Sequence, residues 1–133
     1  MGTDIHCWAE RRYQDEKWQV CANWAPFSDR KYVVFDWLAG ARGRLFIKPI
    51  VEPRGVPHDA SEPVKRDLAF WTPGSRNHGW LSLEELLAVD YEQFVEVEGR
   101  QTTLREFLGV DYFEEIELLK EADADRIIFW FDS

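Results

Sequence analysis

The first residues whose types and spacing could support chemistry lie in the string "TDIHCWAE" near the start of the chain. Read as an extended strand, it places Asp4, His6 and Trp8 on one face and apolar side chains on the other. A carboxylate and an imidazole two residues apart can both donate lone pairs to a divalent metal or to a polar ligand. The simpler interpretation is that Asp4 and His6 face solvent, or that His6 makes one satisfied hydrogen bond.

A metal site would need a third ligand, and His78 is the first candidate for it. Other candidates for that position are His58, Asp59 and Asp132. With Asp4, His6 and His78 holding Zn, Mn or Mg, the chain could act as a hydrolase or lyase on a phosphorylated or nucleotide substrate. In that alternative Arg54 stabilises the developing charge.

The proline-rich loop 48–60 contains "EPRGVPHD", where prolines restrict the backbone on both sides of Arg54. Guanidinium groups suit bidentate recognition of carboxylate or phosphate, and long ordered loops are often functional. Three arginines in other loops could converge with it: Arg42, Arg44 and Arg76. The alternative is that Arg54 pairs with Glu52 or Asp59 and only pins the loop.

A third candidate segment is "RNHGWLSLEELL", which places His78 and Trp80 just before a predicted helix. Ser82 and Glu85 have the S-x-x-E spacing of a capping box. The free N–H groups of a helix N-terminus attract anions, but the capping box occupies some of those donors. A turn histidine beside a packed tryptophan is also an ordinary structural arrangement.

The sequence pattern predicts the elements that must position these residues. The expected fold is α+β, with a small and mainly antiparallel sheet and four or five short helices packed on it. "TDIHCWAERRY" and "KWQVCANW" read as an N-terminal hairpin. The final "RIIFWFD" is apolar on both faces, which is typical of a central strand. We expect it to pair beside the first strand, and we expect residues 1–133 to form a single domain.

Helix boundaries are predicted from capping residues. Ser28 or Asp29 is the expected N-cap of a first helix that ends at Gly40. Ser61 is the expected N-cap of a second helix that continues to about Trp71.

The second half of the chain contains a predicted loop at "TPGSRNHG" and a strand at "QFVEVE". Thr103 and Glu106 form another predicted capping box before a short helix. Residues 111–122 have the spacing of an amphipathic helix.

Composition and charge exclude several classes of protein. Hydrophobic residues at 45% and aromatic residues at 15% rule out a disordered chain. The net charge of −9 argues against nucleic acid as the main partner, although residues 1–60 alone carry +1. No run approaches the ~20 apolar residues that span a bilayer, so we expect no membrane partner and a cytoplasmic location. Cys7 and Cys21 then read as free core thiols.

Five strings in the chain resemble one group of small proteins encoded by phages, prophages and related bacteria: "MGTDIH", "LAGARGR", "EPRGVP", "HGWLSLEELL" and "IIFWFD". The resemblance spans nearly the whole chain in the same order. It implies a mobile-element setting and a host-cell cytosol, and it implies no activity. Where the group has Arg-Asn-Tyr before "LAG", this chain has Lys31 in place of Asn.

Together these observations favour a binding protein for a small anionic, nucleotide-like ligand held in a polar pocket under loop 48–60. The residues expected to line that pocket are Asp4, His6, Trp8, Arg42, Arg54, His78 and Trp80. The metal-dependent hydrolase or lyase is the alternative. A third hypothesis is an acidic decoy or inhibitor of a host protein. The sequence leaves open whether the chain forms a homo-oligomer.

Overall fold

A computed structural model describes residues 2–43 and 47–133. The fold is α+β, with a mainly antiparallel four-stranded sheet and a separate two-stranded sheet, which confirms the predicted class. The strands are β1 (Asp4–Arg11), β2 (Gln19–Val20), β3 (Arg76–Ser82), β4 (Phe94–Val97), β5 (Arg100–Thr103) and β6 (Arg126–Asp132). The helices are α1 (Tyr32–Ala39), α2 (Glu62–Trp71), α3 (Leu83–Ala88), α4 (Leu104–Leu108) and α5 (Val110–Glu121).

The last strand lies inside the large sheet, whose order is β2-β1-β6-β3. β6 pairs with β1 in the register Asp4↔Asp132 and His6↔Trp130, and it pairs with β3 on its other side. Six of its seven residues are buried, as expected for a strand that is apolar on both faces. The predicted central strand and its pairing with β1 are therefore confirmed.

Two hydrophobic clusters lie on opposite faces of this sheet. The larger one packs Ile5, Cys7 and Phe129 against α1, α3, α4 and α5. The smaller one packs Ile128 and Trp130 against α2 and the end of loop 48–60. Each apolar side chain of β6 thus contributes to one cluster or the other, because successive side chains in a strand point to opposite faces.

The structure corrects the prediction that "TPGSRNHG" is a loop, because its second half opens β3. The residues between Arg76 and Gly79 form a β-bulge in the pairing of β3 with β6. Asn77 has a positive φ of 53° at that bulge. A Cβ at Gly79 would lie 3.1 Å from a ring carbon of Phe129, so the bare backbone allows a close approach.

The second hairpin strand is shorter than predicted, because β2 contains only Gln19 and Val20. After Cys21 the chain leaves the sheet and turns toward α5. There the Trp24 indole N–H donates to Glu115 Oε2 at 3.0 Å. This hydrogen bond attaches the segment after β2 to α5.

Helix boundaries agree with the sequence in part. The α1 helix ends at Gly40 as predicted, in the left-handed conformation, but it begins after Lys31 rather than at Ser28 or Asp29. Lys31 provides no side-chain cap, so the predicted cap of α1 is wrong. The predicted N-cap position of α2, Ser61, is correct.

Later helices follow the predictions more closely. The capping box at the start of α3 is complete, whereas at α4 the Thr103 hydroxyl accepts from the Glu106 N–H and the Glu106 carboxylate bonds Thr102 instead. The predicted helix over 111–122 is α5. Cys7 and Cys21 are both free thiols. Among the described residues, no helix has the length and apolarity that crossing a membrane requires.

Candidate functional site

The polar face of β1 is covered by α2 instead of facing solvent. The His6 ring lies 4.1 Å from the Trp71 ring, centroid to centroid. The Trp8 indole N–H donates to Asp67 Oδ2 at 2.7 Å. Two of the predicted site residues therefore lie in the layer between the sheet and α2.

His6 has its own carboxylate partner on the neighbouring strand. Its Nε2 bonds the Oδ2 of Asp132, which the register of β1 and β6 brings alongside it. The His6 side chain is only 16% exposed and also stacks on Trp130. This arrangement matches the simpler interpretation of His6, in which the imidazole makes a satisfied hydrogen bond within the fold.

Asp4 is paired as well. Arg30 donates to it twice, from Nε to Oδ1 at 2.6 Å and from Nη2 to Oδ2 at 3.0 Å. These hydrogen bonds lower the pKa of Asp4 below its ordinary value. The pair is close to solvent, so it orients the start of β1 more than it stabilises the fold.

His78 lies on β3, two strands away from β1 in the sheet. Its Nε2 and the Ser75 Oγ are 2.8 Å apart, and burial lowers the pKa of the imidazole. Within residues 2–43 and 47–133, no group of three His, Cys, Asp or Glu side chains could hold a metal ion. The hypothesis that Asp4, His6 and His78 bind a metal therefore receives no support from the geometry.

Arg54 pins the proline loop, through a partner that sequence reasoning did not consider. Its guanidinium donates to both oxygens of Glu85, with Nη1 to Oε1 at 2.8 Å. The guanidinium carbon also lies 4.5 Å from the centroid of the Trp80 ring. The bidentate hydrogen bonds from Arg54, together with a hydrogen bond from the Ser82 N–H, lower the pKa of Glu85 to about 2.

A buried ion pair, which the sequence analysis did not predict, lies between the sheet and the start of α2. Glu10 is fully buried and Arg126 is 5% exposed, and the Arg126 Nε donates to Glu10 Oε1 at 2.8 Å. The other Glu10 oxygen accepts the Ser61 N–H at 2.8 Å. Arg126 Nη1 also donates to Asp59 at 3.1 Å, and its guanidinium lies over the Trp18 ring.

This pair fastens the start of α2 and the end of loop 48–60 to the sheet. Glu10 continues the polar face of β1, and Arg126 opens the last strand. The alternation that placed Asp4, His6 and Trp8 on one face therefore placed Glu10 there too. A charge on a face covered by a helix needs a partner, and that requirement was the available signal.

Two further arginines meet at the opposite end of the sheet, in a group we call the arginine corner: Thr3, Tyr32, Arg42, Arg76 and Ser133. Arg42 Nη1 donates to Thr3 Oγ1 at 2.9 Å, and Arg76 Nη2 donates to the same oxygen at 3.4 Å. Arg76 Nη2 also donates to Ser133 Oγ at 2.8 Å. In the part of the chain that the structure describes, neither guanidinium has an ion pair with a carboxylate.

The turn after α1 aims Arg42 into this corner. Gly40 takes the left-handed conformation with φ 62°, which ends the helix. Asp36 Oδ1 then accepts the N–H groups of Arg42 at 2.7 Å and Gly43 at 2.9 Å. The Arg42 guanidinium carbon lies 4.2 Å from the Tyr32 ring centroid. Arg44, which was expected to converge with Arg54, lies outside the described residues.

Five of the seven predicted site residues thus divide among three groups. His6 and Trp8 lie under α2, and Arg54 and Trp80 contact each other at β3. Arg42 lies in the arginine corner, where it meets Arg76 rather than Arg54. The remaining two residues are bound to local partners, Asp4 to Arg30 and His78 to Ser75.

Comparison with known proteins found no match to this chain among family models, curated proteins or solved structures.

Proposed function

We propose that this protein is a non-enzymatic binding protein that holds a small anion at the arginine corner. The observation that carries the proposal is the sharing of one hydroxyl by two guanidinium groups. Arg42 and Arg76 both donate to Thr3 Oγ1, and neither has a carboxylate partner among residues 2–43 and 47–133.

Electrostatics favours an anion at this position. Thr3 is fully buried and Arg42 and Arg76 are half-buried, so solvent only partly screens the two cationic groups that converge on the Thr3 hydroxyl. Two like charges held on one acceptor repel, and an anion between them would offset that repulsion with charge-assisted hydrogen bonds. Three other arginines, Arg30, Arg54 and Arg126, already have carboxylate partners.

The corner is also held in place before any ligand binds. Arg76 Nη1 donates to the carbonyl oxygen of Ala41, and the Arg42 guanidinium lies on the Tyr32 ring. Side chains that are already fixed lose less conformational entropy when they engage a ligand. The planar donors of guanidinium match the paired oxygens of phosphate or carboxylate, so we propose a ligand of that class.

This proposal moves the anion site away from the pocket expected under loop 48–60, because Arg54 already binds Glu85. The finer proposal of a nucleotide-like ligand is retained for testing with a nucleotide probe. No observation favours the metal-dependent alternative.

The test is calorimetric titration with inorganic phosphate and with AMP. We expect saturable binding of at least one probe to the wild-type protein, and a loss of about tenfold or more in affinity for Arg42→Gln, since a hydrogen bond to a charged group contributes roughly 1.5–3 kcal/mol. Arg100→Gln is the matched control, because Arg100 is exposed on β5 and its substitution removes the same charge.

Wild-type protein that binds neither probe would overturn the proposal. So would an Arg42→Gln variant that binds with wild-type affinity. Thermal unfolding of both variants, compared with the wild type, separates a lost contact from a lost fold.

A further inference from the structure

One edge of β1 is left without a strand neighbour over half of its length. β1 pairs with β6 from Asp4 to Glu10 on one side. On the other side it pairs with β2 only through Glu10 and Arg11, with one more bond from the Cys21 N–H to the Ala9 carbonyl at 3.0 Å. The residues toward the start of β1 therefore present an open strand edge.

The backbone groups on that edge belong to Ile5 and Cys7. Residues of a strand direct their N–H and C=O groups alternately to the two sides, and Ala9 directs its carbonyl toward β2. Ile5 and Cys7 share that direction. Within the described ranges, no hydrogen bond is made to these groups.

These unpaired groups lie in a cleft and not on an open surface, since Ile5 is 7% exposed and Cys7 is 4% exposed. The cleft has a volume of about 340 Å³ and runs between residues 5–8 and residues 22–25. Buried N–H and C=O groups without partners are costly, so a partner with backbone-like donors and acceptors would be favoured there.

The wall of the cleft also carries an uncompensated negative charge. Both oxygens of the Asp67 carboxylate accept indole N–H bonds, from Trp8 at 2.7 Å and from Trp71 at 3.2 Å. No Lys or Arg pairs with Asp67 in the described part of the chain. The carboxylate is half-buried and lines the cleft, so a cation that entered the cleft would meet it.

We propose that this cleft binds an extended basic peptide segment of a partner protein, which adds a strand to β1 and places a Lys or Arg side chain against Asp67. Alternate residues of a strand are ~6.8 Å apart, and another extended backbone matches that repeat of donors and acceptors. The net charge of −9 favours a basic partner. This site is separate from the arginine corner and does not rest on the proposed anion binding.

The test uses a positional-scanning library of acetylated hexapeptides, each with one fixed Lys, presented to the immobilised full chain. We expect the retained peptides to share a Lys at one position. Two variants should weaken retention: Asp67→Asn, which removes the charge, and Ala25→Lys, which places a cation at an exposed position lining the cleft. Gln101→Lys, at an exposed position of β5, is the control with the same change in net charge.

Strand addition is tested separately with N-methylated forms of a retained hexapeptide. Methyl groups on one set of alternate amides remove the N–H donors that face β1, so that set should weaken binding far more than the other. Three results would each overturn the proposal: no retention by the wild type, retention by Ala25→Lys equal to that by Gln101→Lys, or equal effects of the two methylated sets. Because Ala25 is exposed, its variant keeps the test valid even if Asp67→Asn unfolds the chain.

Discussion

Arg54 shows how one side chain can be fully committed to structure. Both oxygens of Glu85 accept from its guanidinium, and the Trp80 ring covers one face of it. Arg54 and Glu85 are 31 residues apart, so the pair joins loop 48–60 to the start of α3. Arg42 has the same chemistry with a hydroxyl in place of the carboxylate, and that difference leads us to propose anion binding at Arg42 instead.

The Arg54–Glu85 pair predicts a pH dependence of stability. In the folded protein the pKa of Glu85 is about 2, whereas its ordinary value is 4.5. The pair therefore stabilises the fold fully above pH 4.5, and this stabilisation is lost as the pH falls toward 2. Arg54→Gln should cost ~1 kcal/mol at pH 7, a figure reduced for solvent screening because the pair is about a third exposed. Urea unfolding at pH 7, 3.5 and 2 measures it.

The difference between wild type and Arg54→Gln should shrink steadily over that range. Arg100→Gln should leave the free energy of unfolding unchanged at every pH. A difference that stays constant from pH 7 to pH 2 would contradict the ionic origin of the effect.

Ser82 and Ser61 both occupy the N-cap position of a helix, but only one of the two hydroxyls makes a capping hydrogen bond. Ser82 accepts from the Glu85 N–H at 3.0 Å, and the Glu85 carboxylate accepts from the Ser82 N–H at 3.0 Å. Ser61 has the backbone conformation of an N-cap, but its hydroxyl makes no capping bond. The Ser61 Oγ is buried and has no hydrogen-bond partner among the described residues. The carboxylate of Glu10 accepts the Ser61 N–H and fixes the start of α2 instead.

Alanine substitution should therefore separate the two positions. Ser82→Ala should destabilise the fold by ~1 kcal/mol, the usual cost of a lost N-cap. Ser61→Ala should be neutral or slightly stabilising, because it removes a buried hydroxyl that has no partner. Denaturant unfolding of both variants at pH 7 measures the contrast, and equal losses at the two positions would contradict it.

At the scale of the whole molecule, β6 joins the two hydrophobic clusters. Phe129 and Phe131 belong to the cluster under α1, α3, α4 and α5, whereas Ile128 and Trp130 belong to the cluster under α2. Its neighbours β1 and β3 come from distant parts of the chain. Neither cluster can keep its packing once this strand leaves the sheet.

We therefore expect one cooperative unfolding transition, which also tests the prediction of a single domain. Tryptophan fluorescence reports mainly on the cluster under α2, which contains Trp8, Trp71, Trp80 and Trp130, and also on the larger cluster through Trp24 and Trp37. Far-UV circular dichroism reports on all the helices. The two midpoints in urea should coincide, and separate transitions would show that the two layers unfold independently.

What the sequence determined by itself was local. Alternation placed Ile5, Cys7 and Ala9 in the core, the apolar final strand became the central strand, and Ser82 with Glu85 formed the predicted cap. These features depend on residues within a few positions of one another, where backbone geometry alone fixes which side chains meet. The prediction of a loop at "TPGSRNHG" was wrong in its second half, where Asn77 lies at a bulge of β3 and Gly79 allows the close approach of Phe129.

What only the tertiary structure decided was which charged groups meet. Arg126 meets Glu10 across 116 residues, and His6 meets Asp132 across 126. Arg42 meets Arg76 at the buried Thr3. Each of these contacts depends on strand register and on which helix covers which face, and both are set by packing between distant segments. A charged side chain can pair with many partners of opposite sign, so its residue type alone does not select one.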